Sequence, residues 1–420
     1  MADRIGADSQ LGIGFETTPG TKASSLISYR FDVEMPIDIH IERNKIERMV
    51  VQSGFSPLKY VAGMKKIPAS AINKELYTRG DGYFWRMLFG QTPTTTAPSD
   101  EVLLAATSIA ATMSLTSQPS AGNKPAILKC TVAGATAWGT ITITGTDGNG
   151  TAITETLTYT SNTTINTTKY FATVNAGGIT TSGFTGGTLA INGNRNTYKH
   201  EFALANDVPS ITMEISKGGY PFTYWGCGLT SAQFKVDTPE GITKGTFSFV
   251  GKDGEPKSLA GTTTPSSLSS LVKEIFLNWR CGLRIDDTLI GIKSINFTIS
   301  NNLLEDTAEI KESVPLQIPR LVRGGKRTIT GTINRQFEDS TYFDKWINGT
   351  SAKLSVKGTS QPYAGPLETV EFVFPTIMFE GTDPTVSDMS LMYNDLPFSA
   401  FGEGNNEATL TIYSLDANYN

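Results

Sequence analysis

Few side chains in this 420-residue chain are of the kind that move protons or hold metals, and their spacing decides what they can do. The two histidines, His40 and His200, stand far apart without a second ligand at a metal-like interval. Surface or sheet-packing roles are expected for both. Gly12-Ile13-Gly14 opens like a phosphate loop, but Phe15-Glu16-Thr17 follows where a further glycine or Gly-Lys-Ser/Thr would be needed. Gly145-Thr146-Asp147-Gly148-Asn149-Gly150 has part of a calcium loop without its closing glutamate, and it reads as a turn. Arg79-Gly80-Asp81 spells an integrin-type tripeptide, yet Asp81 fits better as the cap of a helix. Asp286-Asp287 and Glu305-Asp306 are acid pairs in polar connections, with no buried neighbour to tune a proton transfer. Cys130, Cys227 and Cys281, odd in number and widely spaced, are expected as free buried thiols in a reducing compartment. Sequons at Asn162, Asn166, Asn296 and Asn348 would need a secretory signal, which Met1 to Gly6 do not resemble. No catalytic set emerges, so the expectation is a protein that is not an enzyme and needs no cofactor and no metal.

With chemistry so sparse, the information lies in the elements, and the chain repeats itself. Gly63 to Leu76 reads GMKKIPASAINKEL and Gly324 to Phe337 reads GGKRTITGTINRQF, 261 residues apart, with identities at Gly63/Gly324, Lys65/Lys326, Ile72/Ile333 and Asn73/Asn334. Tyr83-Phe84-x-Arg86-x-Leu88-x-Gly90 is answered by Tyr342-Phe343-x-Lys345-x-Ile347-x-Gly349 at an offset of 259. A weaker echo pairs Phe247-Ser248-x-x-Gly251 with Phe398-Ser399-x-x-Gly402 at an offset of 151. The fall in offset means that the first copy carries an insertion. Composition locates it: between Glu101 and Asn194 the only charged residues are Glu101, Lys124, Lys129, Asp147, Glu155 and Lys169, in a stretch rich in threonine. A period this long indicates a duplicated domain and not a solenoid. The expected units are module A at 1–98 and 195–262, an inserted domain at 99–194 after a Thr/Pro-rich linker, and module B at 263–420, in keeping with about three domains for this length.

The dominant local pattern is the short alternating strand: Lys244 to Val250, Ser294 to Ser300, Thr328 to Asn334 and Thr409 to Tyr413. Thr140 to Thr144 and Ile153 to Thr160, joined through Asp147-Gly148, predict a hairpin. Two helices are expected, Asp81 to Phe89 and Ser340 to Asn348, each opened by Asp81 or Ser340, closed by Gly90 or Gly349, and offering one apolar stripe (Phe84 and Leu88, Phe343 and Ile347) to its sheet. The fold class is therefore mainly β: two tandem β-sandwich modules, each with a flanking short helix, plus an inserted immunoglobulin-like sandwich in which Cys130 near Trp138 is a partial version of the family's pin. A net charge of −5 with pI ≈ 5.3 argues against binding by phosphate neutralisation. No apolar run of about 18 residues is present to span a membrane.

Gln10-Leu11-Gly12-Ile13-Gly14-Phe15-Glu16-Thr17-Thr18-Pro19-Gly20-Thr21 resembles the N-terminal signature of major tail tube proteins of long-tailed, non-contractile bacteriophages. Arg48 to Gly63, Trp225-Gly226-Cys227 leading to Phe247 to Asp253, and Leu396 to Phe401 follow in matching order. The resemblance implies a structural virion protein whose rings stack on a tape-measure protein, meet terminator and tip proteins at the tube ends, and form the conduit for DNA ejection. Two modules per chain imply a pseudo-hexameric ring of three chains, six being the alternative. The acidic chain would let double-stranded DNA pass without sticking. Synthesis and assembly are expected in the host cytoplasm, with the virion tail as destination. Connections Asn44 to Gly63 and Leu303 to Gly325 are candidates for contacts between rings, with Glu47, Arg48, Lys59, Glu305, Glu309, Arg320 and Arg323 as the charged residues to carry them. A baseplate or capsid decoration protein, or a surface adhesin built of β-sandwiches, is the competing expectation.

Overall fold

The computed structural model describes residues 10–419, apart from 29, 35, 49–58, 120–124, 149, 239–240, 260–274, 305–320, 322, 361–367 and 382–391. The period-two segments form strands, and the chain is mainly β. The first part runs β1 (Gln10–Phe15), β2 (Glu42–Arg48), β3 (Lys59–Glu75), α1 (Gly82–Phe89) and β4 (Thr94–Thr96). Eight strands follow: β5 (Glu101–Ser108), β6 (Thr112–Met113), β7 (Ala126–Ala137), β8 (Thr140–Thr146), β9 (Ala152–Thr158), β10 (Thr164–Phe171), β11 (Thr173–Ser182) and β12 (Thr185–Asn194). The chain then returns through β13 (Tyr198–Ala203), β14 (Ile211–Lys217), β15 (Tyr220–Asp237), β16 (Lys244–Gly251) and β17 (Asp253–Glu255). The last part comprises β18 (Gly282–Ile285), β19 (Thr288–Ile290), β20 (Ser294–Ser300), β21 (Thr328–Gln336), α2 (Thr341–Ile347), β22 (Ala352–Thr359), β23 (Thr369–Phe379), β24 (Tyr393–Ala400) and β25 (Thr409–Ser414).

Backbone pairing runs in parallel through the flanking halves. One sheet is β1-β14-β15-β17 in the first half and β18-β22-β23-β25 in the second. The registers Ile211↔Cys227, Met213↔Tyr224 and Ile215↔Phe222 are matched by Ala352↔Ile377, Leu354↔Phe374 and Val356↔Phe372, and each series has its irregularity after the first pair. The other sheet is β3-β16-β15 in the first half and β21-β24-β23 in the second. The Asn73 carbonyl accepts the Glu34 N–H at 2.7 Å, and the Asn334 carbonyl accepts the Lys293 N–H at 2.8 Å. These pairings also correct the third echo. Asn73 faces Thr246 while Asn334 faces Asp395, so Phe247 is level with Leu396, and Phe249 with Phe398. The shift is two residues, which leaves every side chain on its face.

Strands β15 and β20 pair from Ser231↔Ser300 to Asp237↔Ser294, so the halves share one sheet. Their cores fuse as well, with Phe234 lying 5.0 Å from Phe297 and 5.2 Å from Phe372. Residues 101–194 instead form two four-stranded sheets, β10-β7-β12-β5 and β6-β11-β8-β9, around a core of their own that includes Leu103, Leu128, Ile143, Leu189 and Ile191. The β8–β9 hairpin pairs Thr140↔Thr158 as its alternation requires. Trp138 is 42% exposed and so does not stand as a core pin. Buried Cys130 instead lies beneath Tyr159, whose hydroxyl donates to the Cys130 carbonyl at 2.7 Å.

The helices depart from expectation. Neither Asp81 nor Ser340 caps through its side chain; the Thr341 N–H is taken by Asp339 Oδ1 at 2.9 Å. Gly90 and Gly349 do end the helices with φ of 94° and 61°. α1 is buried on nearly every face, whereas α2 buries no residue fully. One apolar stripe per helix therefore describes neither.

Candidate assembly interface

Alternation sorts the strands of the shared sheet into two faces. Phe247, Phe249, Phe234, Phe297, Ile299, Ile333 and Phe398 point into the core. Ser231, Gln233, Lys235 and Asp237 of β15, Asn296, Thr298 and Ser300 of β20, and Thr330, Thr332 and Asn334 of β21 turn the other way. That face is rich in hydroxyls and amides. Its charges are partly paired, Lys235 with Asp237 at 3.4 Å and Lys244 with Glu34 at 3.1 Å, so the acidity of the whole chain is not concentrated there.

Each half carries one of the two candidate connections. In the first, β2 and β3 pair from Glu42↔Lys66 to Arg48↔Lys59, with Glu47 opposite Tyr60. Glu47, Arg48 and Lys59 thus occupy neighbouring register positions at the far end of the arm. In the second, Leu303 bridges Arg323, and the Gly324 N–H donates to the Asn302 carbonyl. Glu305, Glu309 and Arg320 lie outside the described residues.

Arg323 is committed within its own chain. Its Nη2 donates to the Ala205 carbonyl at 2.8 Å, an oxygen that Arg327 Nη2 also reaches at 2.6 Å, while Arg327 Nε donates to Asn301 Oδ1 at 3.1 Å. Burial lowers the pKa of both guanidiniums, and with the charge of Arg323 beside it Arg327 is held down to about 10. Asn301 Nδ2 in turn donates to the Leu88 carbonyl at 3.0 Å, and the Ala205 N–H to the Phe89 carbonyl at 2.7 Å. The root of the second connection is therefore tied to the C-terminal end of α1 in the first half. Sequence reasoning missed Arg327 and Asn301. The signal for Arg327 was its match to Lys66 inside the first echo.

A charged cluster fixes the other end of α1. Asp81 is buried, accepts the Tyr77 N–H at 2.8 Å and pairs with buried Lys74. Asp416 takes Arg79 Nε at 3.1 Å and the Gly80 N–H at 2.8 Å, so the Arg-Gly-Asp tripeptide is folded inward. Buried His200 donates from Nε2 to the Asp416 carbonyl at 2.8 Å and accepts from Thr95 through Nδ1 at 2.9 Å; burial lowers its pKa.

The remaining chemical candidates are structural. Asp286 and Asp287, with φ of 50° and 64°, make the turn between β18 and β19. Asp286 accepts the Lys353 N–H at 2.9 Å and pairs with Lys345 at 2.9 Å, and the backbone bond is the chief reason its carboxyl titrates low. Asp147 Oδ1 accepts the Thr151 N–H at 2.9 Å, closing the Gly-rich turn on itself. His40 is exposed beside Asp38. Cys130, Cys227 and Cys281 are free; burial raises all three thiols, Cys130 to about 12. An open cleft of about 510 Å³ between β4, β13 and the inserted strands is lined by Asp100, Glu101, Arg195 and Lys199, with Arg195 paired to Glu101 at 3.6 Å. Among the described residues no helix is long and apolar enough to cross a membrane, and no group of His, Cys, Asp and Glu has a metal-binding arrangement.

No curated protein matches the chain. Residues 205–400 match the family model described as phage tail tube protein. The match runs from β14 through β24 and so crosses the β15–β20 junction.

Proposed function

We propose that this chain, whose residues 205–400 match the phage tail tube family model, is a tail tube protein carrying two tube modules in tandem, three chains closing into a pseudo-hexameric ring. Rings stack into the tail tube through which DNA leaves the virion. The observation that carries this reading is the β15–β20 ladder, where the halves meet edge to edge as neighbouring subunits of a ring would. Matching registers and irregularities in β14–β15 and β22–β23 support the duplication. Closing such a sheet into a barrel removes the edges that a lone chain exposes.

The hydroxyl- and amide-bearing face of the shared sheet then lines the channel. It gives the duplex few cations to bind, because affinity for DNA follows the phosphates neutralised. The inserted sandwich points outward, since inside it would block the bore. The tips carrying Glu47, Arg48 and Lys59, with Glu305, Glu309 and Arg320 of the second connection, contact the next ring. The partners are further copies of the chain, a tape-measure protein and the proteins at the tube ends. Assembly in the host cytoplasm precedes incorporation into the virion.

Cryo-electron microscopy of the assembled protein tests this directly. Hollow tubes with three chains per ring are expected; six chains per ring, or globular particles only, would overturn the reading.

A further inference from the structure

Resting on the tandem-module reading, we propose that the exposed face of α2 around Asp344 and Ile347 is the docking surface for the β14–β15 face of a second copy of this chain, around Lys217, Tyr220 and Phe222.

The template is the seam inside one chain. The two helices occupy the same place in their halves, after β3 or β21 and before a positive-φ glycine. Part of what covers α1 comes from the other half of the molecule. Trp85 packs on Phe372 of β23 with ring centroids 5.3 Å apart, Asn301 reaches the Leu88 carbonyl, and the Tyr419 ring lies 5.2 Å from Tyr83. Aligning Tyr83-Phe84 with Tyr342-Phe343 puts Asp344 at the Trp85 position and Ile347 at the Leu88 position. Ile347 is 60% exposed, and Met378, close to Gly349 at the end of α2, is 38% exposed. Nothing in the described part of the chain covers them.

The surface that would cover them exists in the first half of the same molecule, on β14 and β15. The matched registers make Phe222 the counterpart of Phe372. Phe222 is only half-buried, Tyr220 beside it is 40% exposed with ring centroids 5.6 Å apart, and Lys217 Nζ lies 5.3 Å from the Phe222 ring. Each chain thus holds the two sides of a second seam, one in each half, and does not join them itself. A second copy can, head to tail, and such contacts close into a ring when the rotation between copies allows.

Chemistry distinguishes the two seams in the expected direction. The internal one joins aromatic rings, like a core that never opens. The external one sets the Asp344 carboxylate against the Lys217 ammonium around Ile347 and Phe222. Surfaces that must stay in water until assembly keep charge at the rim and an apolar centre, and opposite charges select the head-to-tail register over self-facing pairs.

The test begins with the full-length wild-type chain, whose tubes are counted by electron microscopy and whose critical concentration is read by sedimentation. Asp344→Lys and Lys217→Asp are each expected to raise that concentration about tenfold or more, through like-charge contact, in a monomer that stays folded by circular dichroism, although Lys217→Asp also loses the Nζ bond to the Ile39 carbonyl. The two changes in one chain are expected to restore assembly. Ile347→Asp and Tyr220→Asp chains are each expected to stay monomeric, and a mixture of the two to form one-to-one dimers and nothing larger. Single variants that assemble like wild type, a folded double variant no better than the singles, or a mixture without dimers would each overturn the docking proposal. A wild-type chain that forms dimers sensitive to Ile347→Asp, but never tubes, would keep the interface and sink the tube reading instead.

Discussion

Glu368 and His200 show how single buried groups hold the end of this chain in place, and they pull stability in opposite directions as pH changes. Glu368 is buried, accepts the Leu415 N–H at 3.0 Å, and has its pKa raised chiefly by burial above the ordinary 4.5. A carboxyl raised in the folded state binds protons more readily there than in the unfolded chain. Its contribution is therefore full below pH 4.5 and is lost as pH rises through the folded value. His200 is depressed below 6.5, again mainly by burial, so the unfolded chain takes the proton first. Its contribution is full above pH 6.5 and is lost as pH falls through the folded value. In urea titrations across pH 4.5 to 8, the stability advantage of wild type over Glu368→Gln is expected to grow toward acid. The advantage over His200→Gln is expected to shrink. Parallel curves for either pair would show that the group does not titrate differently on folding.

α1 is the element on which the two halves and the C-terminus converge, and Tyr419 is its lid. The Tyr419 ring is 1% exposed, stands 4.5 Å from His200, and lies so close to Gly82 that a Cβ there would be 2.2 Å from the ring. Its hydroxyl bonds Ser414 Oγ at 2.9 Å and donates to Asp416 at 3.1 Å. Tyr419→Ala is expected to cost about 3–5 kcal/mol, the range for removing a buried aromatic, and Tyr419→Phe about 1 kcal/mol for its hydrogen bonds, both read from urea midpoints. A loss under about 1 kcal/mol for the alanine variant would mean that α1 does not depend on this lid. The convergence also marks what the sequence could and could not disclose. Helix ends, alternating strands and the β8–β9 hairpin were legible because local period and turn residues determine them. The burial of α1 against the exposure of α2 was not, because it depends on Phe372 and Tyr419, far along the chain. Strands β4 and β13 escaped for the same reason: three threonines gain strand identity only by pairing with Lys199 to Glu201, across the whole insertion. In the candidate interface, the basic echo hinted at Arg327, but nothing local reveals that Arg323 and Arg327 share the Ala205 carbonyl.

At the scale of the whole molecule, the inserted sandwich is the part that the ring can lose. Its core does not merge with that of the flanking halves. Its entry and exit strands run side by side, with Glu101 opposite Gly193 and Val102 opposite Asn192, while Asn194 Nδ2 donates to Asp100 at 2.6 Å. A two-residue turn can therefore bridge the ends without moving β4 or β13. The β15–β20 ladder, α2 and the β14–β15 face all lie outside the excised segment. Replacing residues 103–191 by Asn-Gly is expected to leave the remaining chain folded and its tubes unchanged in ring symmetry and bore but narrower outside by the lost sandwiches, as class averages would measure. The alternative places the insertion between neighbouring chains, where its apolar Trp138, exposed in the lone chain, would take part in closure. In that case the shortened chain would fold and stay monomeric, and the insertion would count as a structural part of the ring.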